Sequence, residues 1–393
     1  MSRSIPTLIK PQLLVWARKS AGLTLGQAAG KAKVDVGVME AWELGEESPS
    51  LSQLRKLGEA YKRPIAIFFL PEPPLTFDAQ REFRRLAGIS PGKESPELRL
   101  ALRNAVFRRE AALELHRLTG DPLVHIDAQL HPGTAPEDAG TFIRKMLGVT
   151  WSQQIAWSSP HEALAAWRSA IERQGVLVFQ SSGVPLDEMR GTCIPDQPLP
   201  VILINAKDAP HGRIFTLLHE FAHILLHNGG HMTSRMMGVR SPEEQPLEVA
   251  ANAIAAATLL PADSFPQVAA HYRGAAAGED NALRLLAQRV KVSPEVILRR
   301  LVTLQKASAG VYRTKRDAWG QTAWYIRASA GGPIPMQIKT LASAGRGYTN
   351  LVMNAYDQRL ISTSAASDYL GVKPRHFNNI RRELTSRPAQ SGA

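Results

Sequence analysis

Apolar spacing along the chain predicts a run of helices interrupted by one β-rich stretch. Leu14, Ala17 and Arg18 lie on a first helix that stops near Gly22. Thr24 is placed to N-cap a second helix, from Leu25 to about Ala32. A turn through Val34 and Asp35 leads to a third, about Val36 to Glu43, ended by Gly45. Ser50 caps a fourth, with Leu51, Leu54, Leu57 and Tyr61 at helical spacing. The Pro/Gly-rich stretch 70–97 reads as a linker. Amphipathic helices follow in 98–118, 137–149 and 159–175, the last capped by Ser158 or Ser159.

The period then changes. "VLVFQ" (176–180), "MRGTCIPD" (189–196) and "VILIN" (201–205) are short, β-rich and separated by turn residues, which predicts a small three-stranded sheet. Pro210 suits the first turn of the next helix, which carries "FTLLHEFAHILLH" (215–227). In "QPLEVAANAIAAATLLP" (245–261), Glu248, Ala251, Ala255 and Leu259 recur at helical spacing, so this is a second buried helix. "LRLLAQRVKVSPEVILRRLVTL" (283–304) has a helix-turn-helix shape, with Ser293-Pro294 opening its second helix. "ISTSAASDYLGVKPRHFNNIRREL" (361–384) repeats that shape, with Ser364, Leu370, Gly371 and Val372 at the turn. Arg375, Asn378, Asn379, Arg381 and Arg382 there could meet phosphates or bases, or the pair could be a plain packing unit. Residues 312–335 mix aromatics with Arg and Lys and read as strands or a sensing surface; 386–393 reads as a disordered tail. The fold class is α+β, mainly α, divided as 1–75, 76–157, 158–305 and a basic, mostly helical 306–393.

With 393 residues, 44% of them hydrophobic, the chain can build two or three cores. The N-terminus lacks the apolar core and cleavage site of a secretion signal, and no apolar run is long enough to span a bilayer. Cys193 is the single cysteine, so no intrachain disulfide can form; together these predict a cytoplasmic protein with no membrane partner. The net charge of +12 is uneven: residues 271–393 hold 19 Lys/Arg against 7 Asp/Glu, and 1–270 balance at 28 each. That surplus fits nucleic-acid binding or a solvated basic surface.

The apolar helix of 215–227 holds three histidines and a glutamate, groups that are costly to bury. His219-Glu220-Phe221-Ala222-His223 is an H-E-x-x-H motif. Four residues is about one helical turn, so both imidazoles point the same way and can take two corners of a zinc tetrahedron. Glu220 can reach a metal-bound water without ligating the metal, as a general base must. Glu248, the lone charge on the next apolar helix, is the candidate third ligand. His227 or His231 could ligate instead. The blander readings are core histidines satisfied by hydrogen bonds and a helix-start glutamate favoured by the macrodipole.

Two resemblances sharpen this reading. "LTLGQAAGKAKV" followed by "VMEAWELGEESPSLSQLRKLGEAY" resembles the Cro/repressor-type (Xre) helix-turn-helix family. It implies a reading helix at about Asp35–Trp42, with Asp35, Gly37, Val38 and Glu40 toward the major groove. Lys31 and Lys33 could touch phosphates. That helix carries no Arg, Lys, Asn or Gln for bidentate base contacts, and such domains also serve as protein-docking units. "HEFAHILLH" followed by "EVAANAIAAATLLP" resembles the ImmA/IrrE metallopeptidases over about 160–305. Glu248, Ala251, Asn252, Ala255, Leu259, Leu260 and Pro261 match, and Ile254 stands where Phe is usual. The resemblance implies a zincin-like, zinc-dependent, site-specific endopeptidase, with Mn2+ or Fe2+ as the other metals open to it. Its implied target is a partner transcriptional repressor or antitoxin-like protein, cleaved to switch on stress or mobile-element genes. The competing reading is a DNA-binding repressor or antitoxin whose peptidase domain senses a partner without cutting it.

Overall fold

The computed structural model describes residues 9–63, 65–73, 95–227, 244–321 and 334–386. The chain divides into two compact units, the first up to Asn104 and the second from Ala105 onward.

In the first unit, helices α1 (Pro11–Ser20), α2 (Leu25–Ala32), α3 (Val36–Leu44) and α4 (Leu51–Tyr61) enclose a core of Leu14, Ala17, Ala28, Met39, Trp42, Leu54, Leu57 and Tyr61. Thr24 and Ser50 each close a capping box, with Gln27 and Gln53, and so satisfy orphan amides at the starts of α2 and α4. The Trp-Glu-x-Gly pattern has a physical reading. Trp42 fills the core, and Glu43 accepts two 2.7 Å bonds from Arg18 on α1. Gly45 adopts the left-handed C-cap that a side chain resists.

In the second unit, helices α6 (Pro136–Leu147), α7 (Trp151–Ala156) and α8 (Pro160–Glu172) precede the sheet; α5 (Pro96–Thr119) contains the boundary between the units. Ser159, not Ser158, caps α8. The sheet order is β1 (Leu177–Ser181), β3 (Val201–Asn205), β2 (Gly191–Ile194). β1 runs parallel and β2 antiparallel to β3, with Cys193 opposite Ile202. Every residue of β3 is buried, as a central strand with both faces covered requires. Helix α9 (Pro210–His227) packs on β2, β3 and α8, and α10 (Glu244–Leu259) packs between α9 and α6. The molecule is thus mostly helical with one small mixed sheet, α+β and mainly α.

After α11 (Phe265–Ala269) come α12 (Asp280–Val290) and α13 (Pro294–Thr303), the second capped by Ser293. Residues 309–321 form a helix, α14, which corrects the strand reading for that part of 312–335. Val311, Tyr312 and Trp319 fall on one face of α14 and pack on the core, and that helical spacing overrides the aromatic, β-prone composition. Residues 322–333 lie outside the described residues, as do most of the linker and the tail. Helices α15 (Met336–Ala344), α16 (Arg346–Asp357), α17 (Thr363–Leu370) and α18 (Phe377–Thr385) complete the unit, and α15 covers the outer edge of β1. Ser364 sits inside the first turn of α17, not at the turn after it; Ser362 is the cap. Among the described residues, no helix is long and apolar enough to cross a membrane.

Candidate metal centre

The apolar residues of 215–227 anchor α9: Leu217, Leu218, Phe221, Ala222, Ile224 and Leu225 are essentially inaccessible. The remaining face carries His219 and His223, one turn apart, toward α10. There Glu248 comes up between them. The imidazole Nε2 atoms of His219 and His223 are 3.1 Å apart. Glu248 Oε1 is 3.4 Å from His219 Nε2, and Oε2 is 3.3 Å from His223 Nε2. Among the described residues these three form the cluster able to hold a metal ion, with one donor atom each.

The spacing tests the fit. Ligand bonds of about 2.0–2.1 Å at tetrahedral angles put donors roughly 3.3 Å apart. The two imidazole nitrogens, 3.1 Å apart, are close to that edge length, and each Glu248 oxygen lies near a different one of them, at 3.4 and 3.3 Å. The donor set, two imidazoles and one carboxylate, suits a catalytic zinc with an open position. Asn252, one turn after Glu248, donates from Nδ2 to the Glu248 backbone carbonyl at 2.8 Å and hydrogen-bonds His219. Phe215 stacks on the His219 ring at 6.3 Å.

Burial drives the protonation states. The His219 imidazole is pushed down to about 4 by desolvation, with His223 adding to it and Glu248 opposing. It is therefore neutral at pH 7, the form that can donate a lone pair. At His223 burial pulls the same way, but the Glu248 hydrogen bond and the carboxylates of Glu220 and Glu248 outweigh it and raise the pKa.

Glu220 faces the sheet. It is 6% exposed, and burial pushes its carboxyl up to about 7. Its partner there is the Cys193 thiol on β2, whose own pKa is raised by burial and then by Glu220. Two residues earlier on the same strand face, Gly191 lets β2 approach α9, because a Cβ there would collide with Thr216. Sequence reasoning had used Cys193 only to exclude a disulfide. The available signal was period two: Gly191 and Cys193 share one face of a strand next to the motif helix.

The structure brings His219, Glu220, His223 and Glu248 together. His231 lies outside the described residues, as does the side chain of His227. In the first unit Lys31, Lys33, Asp35, Gly37 and Glu40 are exposed and Val38 is half-buried. The Asp35 carboxylate accepts from the Gly37 amide at 2.8 Å and caps α3.

Residues 171–302, about a third of the chain, match the Peptidase M78 family model, an IrrE N-terminal-like domain. The match runs from the end of α8 through the sheet and both site helices into α13. It supports the ImmA/IrrE resemblance over that segment and points to a metallopeptidase. No curated protein matches the chain.

Proposed function

We propose that the chain is a zinc-dependent endopeptidase that cuts a partner transcriptional regulator, a repressor or antitoxin-like protein. The observation that carries the reading is the convergence of His219, His223 and Glu248, whose donor atoms lie close enough together to share one metal ion. The family match over 171–302 favours peptide hydrolysis as its use. The choice of a regulator as target rests on the ImmA/IrrE resemblance.

His219, His223 and Glu248 would hold the metal, which when bound supplies Lewis acidity toward water and a peptide carbonyl. Asn252 steadies Glu248 from one turn away. Glu220 takes the proton of the attacking water and delivers it to the departing amine. A buried carboxyl with a pKa near 7 is matched to both halves of that task at neutral pH. The thiol of Cys193 on β2 hydrogen-bonds that carboxylate from the sheet side.

The first unit would serve partner contact. The solvent-facing part of α3 is Asp35, Val36, Gly37, Glu40 and Leu44, an apolar and acidic set suited to a protein surface. Lys31 and Lys33 at the end of α2 are among its exposed cations.

Elemental analysis of purified wild type, Glu248→Ala and Glu220→Gln tests the reading. The expected result is about one zinc per chain in wild type and Glu220→Gln and none in Glu248→Ala, with cleavage only in wild type. Wild-type protein that takes up no zinc, or a Glu220→Gln variant that still cleaves, overturns it.

A further inference from the structure

We infer that α17 and α18 form a DNA-reading helix-turn-helix, with α18 as the helix that enters the major groove. The inference is independent of the peptidase reading.

Its first support is the spacing of buried residues. Ala366 and Leu370 on α17, Val372 in the turn, and Phe377 and Ile380 on α18 are all buried. Gly371 adopts the left-handed conformation that ends α17, with φ 67°. The Ser367 hydroxyl donates to the Val372 carbonyl at 2.6 Å and fixes the turn. Two helices of about two turns with a left-handed glycine between them have the outline of a helix-turn-helix, and α18 is seated on α15 and α16.

The second support is what that packing leaves outside. Asn378, Asn379 and Arg382 share one face of α18, Arg375 stands in the short 3-10 turn before it (Pro374–His376), and all four are exposed. Arg and Asn are the side chains that make bidentate contacts with guanine and adenine edges. Lys373, also exposed, stands at the entrance to the helix, where phosphate contacts fall. Among the described residues neither Arg375 nor Arg382 enters an ion pair; Arg375 Nε donates to His376 Nε2 at 3.2 Å, and Arg381, engaged by Asp357, donates to Asn378 Oδ1 at 3.1 Å. Residues 334–386 hold 7 Lys/Arg against 3 Asp/Glu, so the field around the face suits a polyanion.

The third support is rigidity. Arg346 Nη2 donates to the carbonyls of Glu383 (2.6 Å), Leu384 (3.1 Å) and Ser386 (3.0 Å), pinning the C-terminal end of α18 to α16. Tyr356 packs edge-on against Phe377 at 5.2 Å. The reading face is held on a fixed scaffold, as specific recognition requires. By contrast α3 offers Gly37, Val38 and Glu40 where base-reading side chains would stand.

The test uses the full-length, zinc-loaded chain and a pool of duplexes with a randomised core. Selected sequences are compared by fluorescence anisotropy with a scrambled duplex of the same composition. The expected result is an enriched sequence, bound roughly ten-fold or more weakly by Arg375→Ala, Asn379→Ala and Arg382→Ala. Lys373→Ala weakens both duplexes alike, and Lys31→Ala with Lys33→Ala changes neither. Circular dichroism melting confirms that the exposed substitutions leave the fold intact. Glu220→Gln binds as wild type, so failure of the peptidase reading leaves this result standing. No enriched sequence, binding indifferent to α18, binding lost only with Lys31 and Lys33, or equal competition by single-stranded RNA overturns the inference.

Discussion

The thiol of Cys193, on the edge strand β2, hydrogen-bonds the carboxylate of Glu220, on the motif helix α9. This ties the proposed base to the sheet instead of to the two histidines beside it in sequence. A buried carboxylate that loses a donor bears its full desolvation cost. Cys193→Val should therefore destabilise the protein by about 1–3 kcal/mol in urea unfolding. Cys193→Ser, which keeps a donor, should cost less. In a double-mutant cycle with Glu220→Gln the two effects should couple; additivity within about 0.3–0.5 kcal/mol would remove the interaction.

Zinc should stabilise the folded chain, because His219, His223 and Glu248 converge only when α9 and α10 are packed. At one hundred times Kd the gain is about 2.7 kcal/mol, seen as a rise in Tm of several degrees that a chelator reverses. Glu220→Gln should keep the rise and Glu248→Ala should lose it. An equal rise in all three proteins would place the metal elsewhere.

His211, in the first turn of α9, links stability to pH. Burial pushes its pKa down to about 4, with Lys291 and His161 reinforcing the shift. Its Nε2 is buried with no hydrogen-bond partner among the described residues. The unfolded chain takes up a proton near pH 6.5 that the folded chain refuses until about pH 4. The contribution is full above pH 6.5 and lost progressively as pH falls toward 4, by at most about 3 kcal/mol. Chemical unfolding across that range should show a shallower decline in His211→Gln than in wild type. Parallel curves would exclude His211 as the source.

Arg168 joins the sheet to the C-terminal helices. Its Nε donates to Glu172 Oε1 at 2.9 Å, and its Nη1 to the Ala342 carbonyl at 2.6 Å. Its Nη2 bonds the carbonyl of Val178 on β1. Glu172 also accepts from the Gly347 amide at the start of α16, and burial raises its pKa against the opposing pull of Arg168. Arg168→Ala strands that carboxylate and should cost about 3–5 kcal/mol. Hydrogen exchange should quicken over 336–357 first, where the lost bonds end. Uniform loosening of the whole second unit would show that the joint is not local.

Local chemistry carried much of the legible structure. Thr24, Ser50 and Ser293 cap helices because a hydroxyl beside the first free amides works the same way in any fold. The sheet was legible because helical spacing gives way at Val176 to short β-rich runs separated by turn residues. Helices α15 and α16 escaped prediction, since their apolar positions make sense only against β1 and Arg168. The aromatic stretch that became α14 misled for the same reason.

By itself the sequence determined that His219 and His223 share one helix face and that Glu248 lies on the next apolar helix, because both follow from helical period alone. It also determined the charge surplus near the C-terminus and the glycine turn at Gly371, though not the cap at Ser362. Only the tertiary structure decided that the Glu248 carboxylate reaches both imidazoles and that Glu220 turns toward Cys193. It alone decided that Arg375, Asn378, Asn379 and Arg382 remain outside while Arg381 is engaged by Asp357. Those outcomes depend on which helix packs against which, a long-range choice made by burial of the whole core, and no local period encodes it.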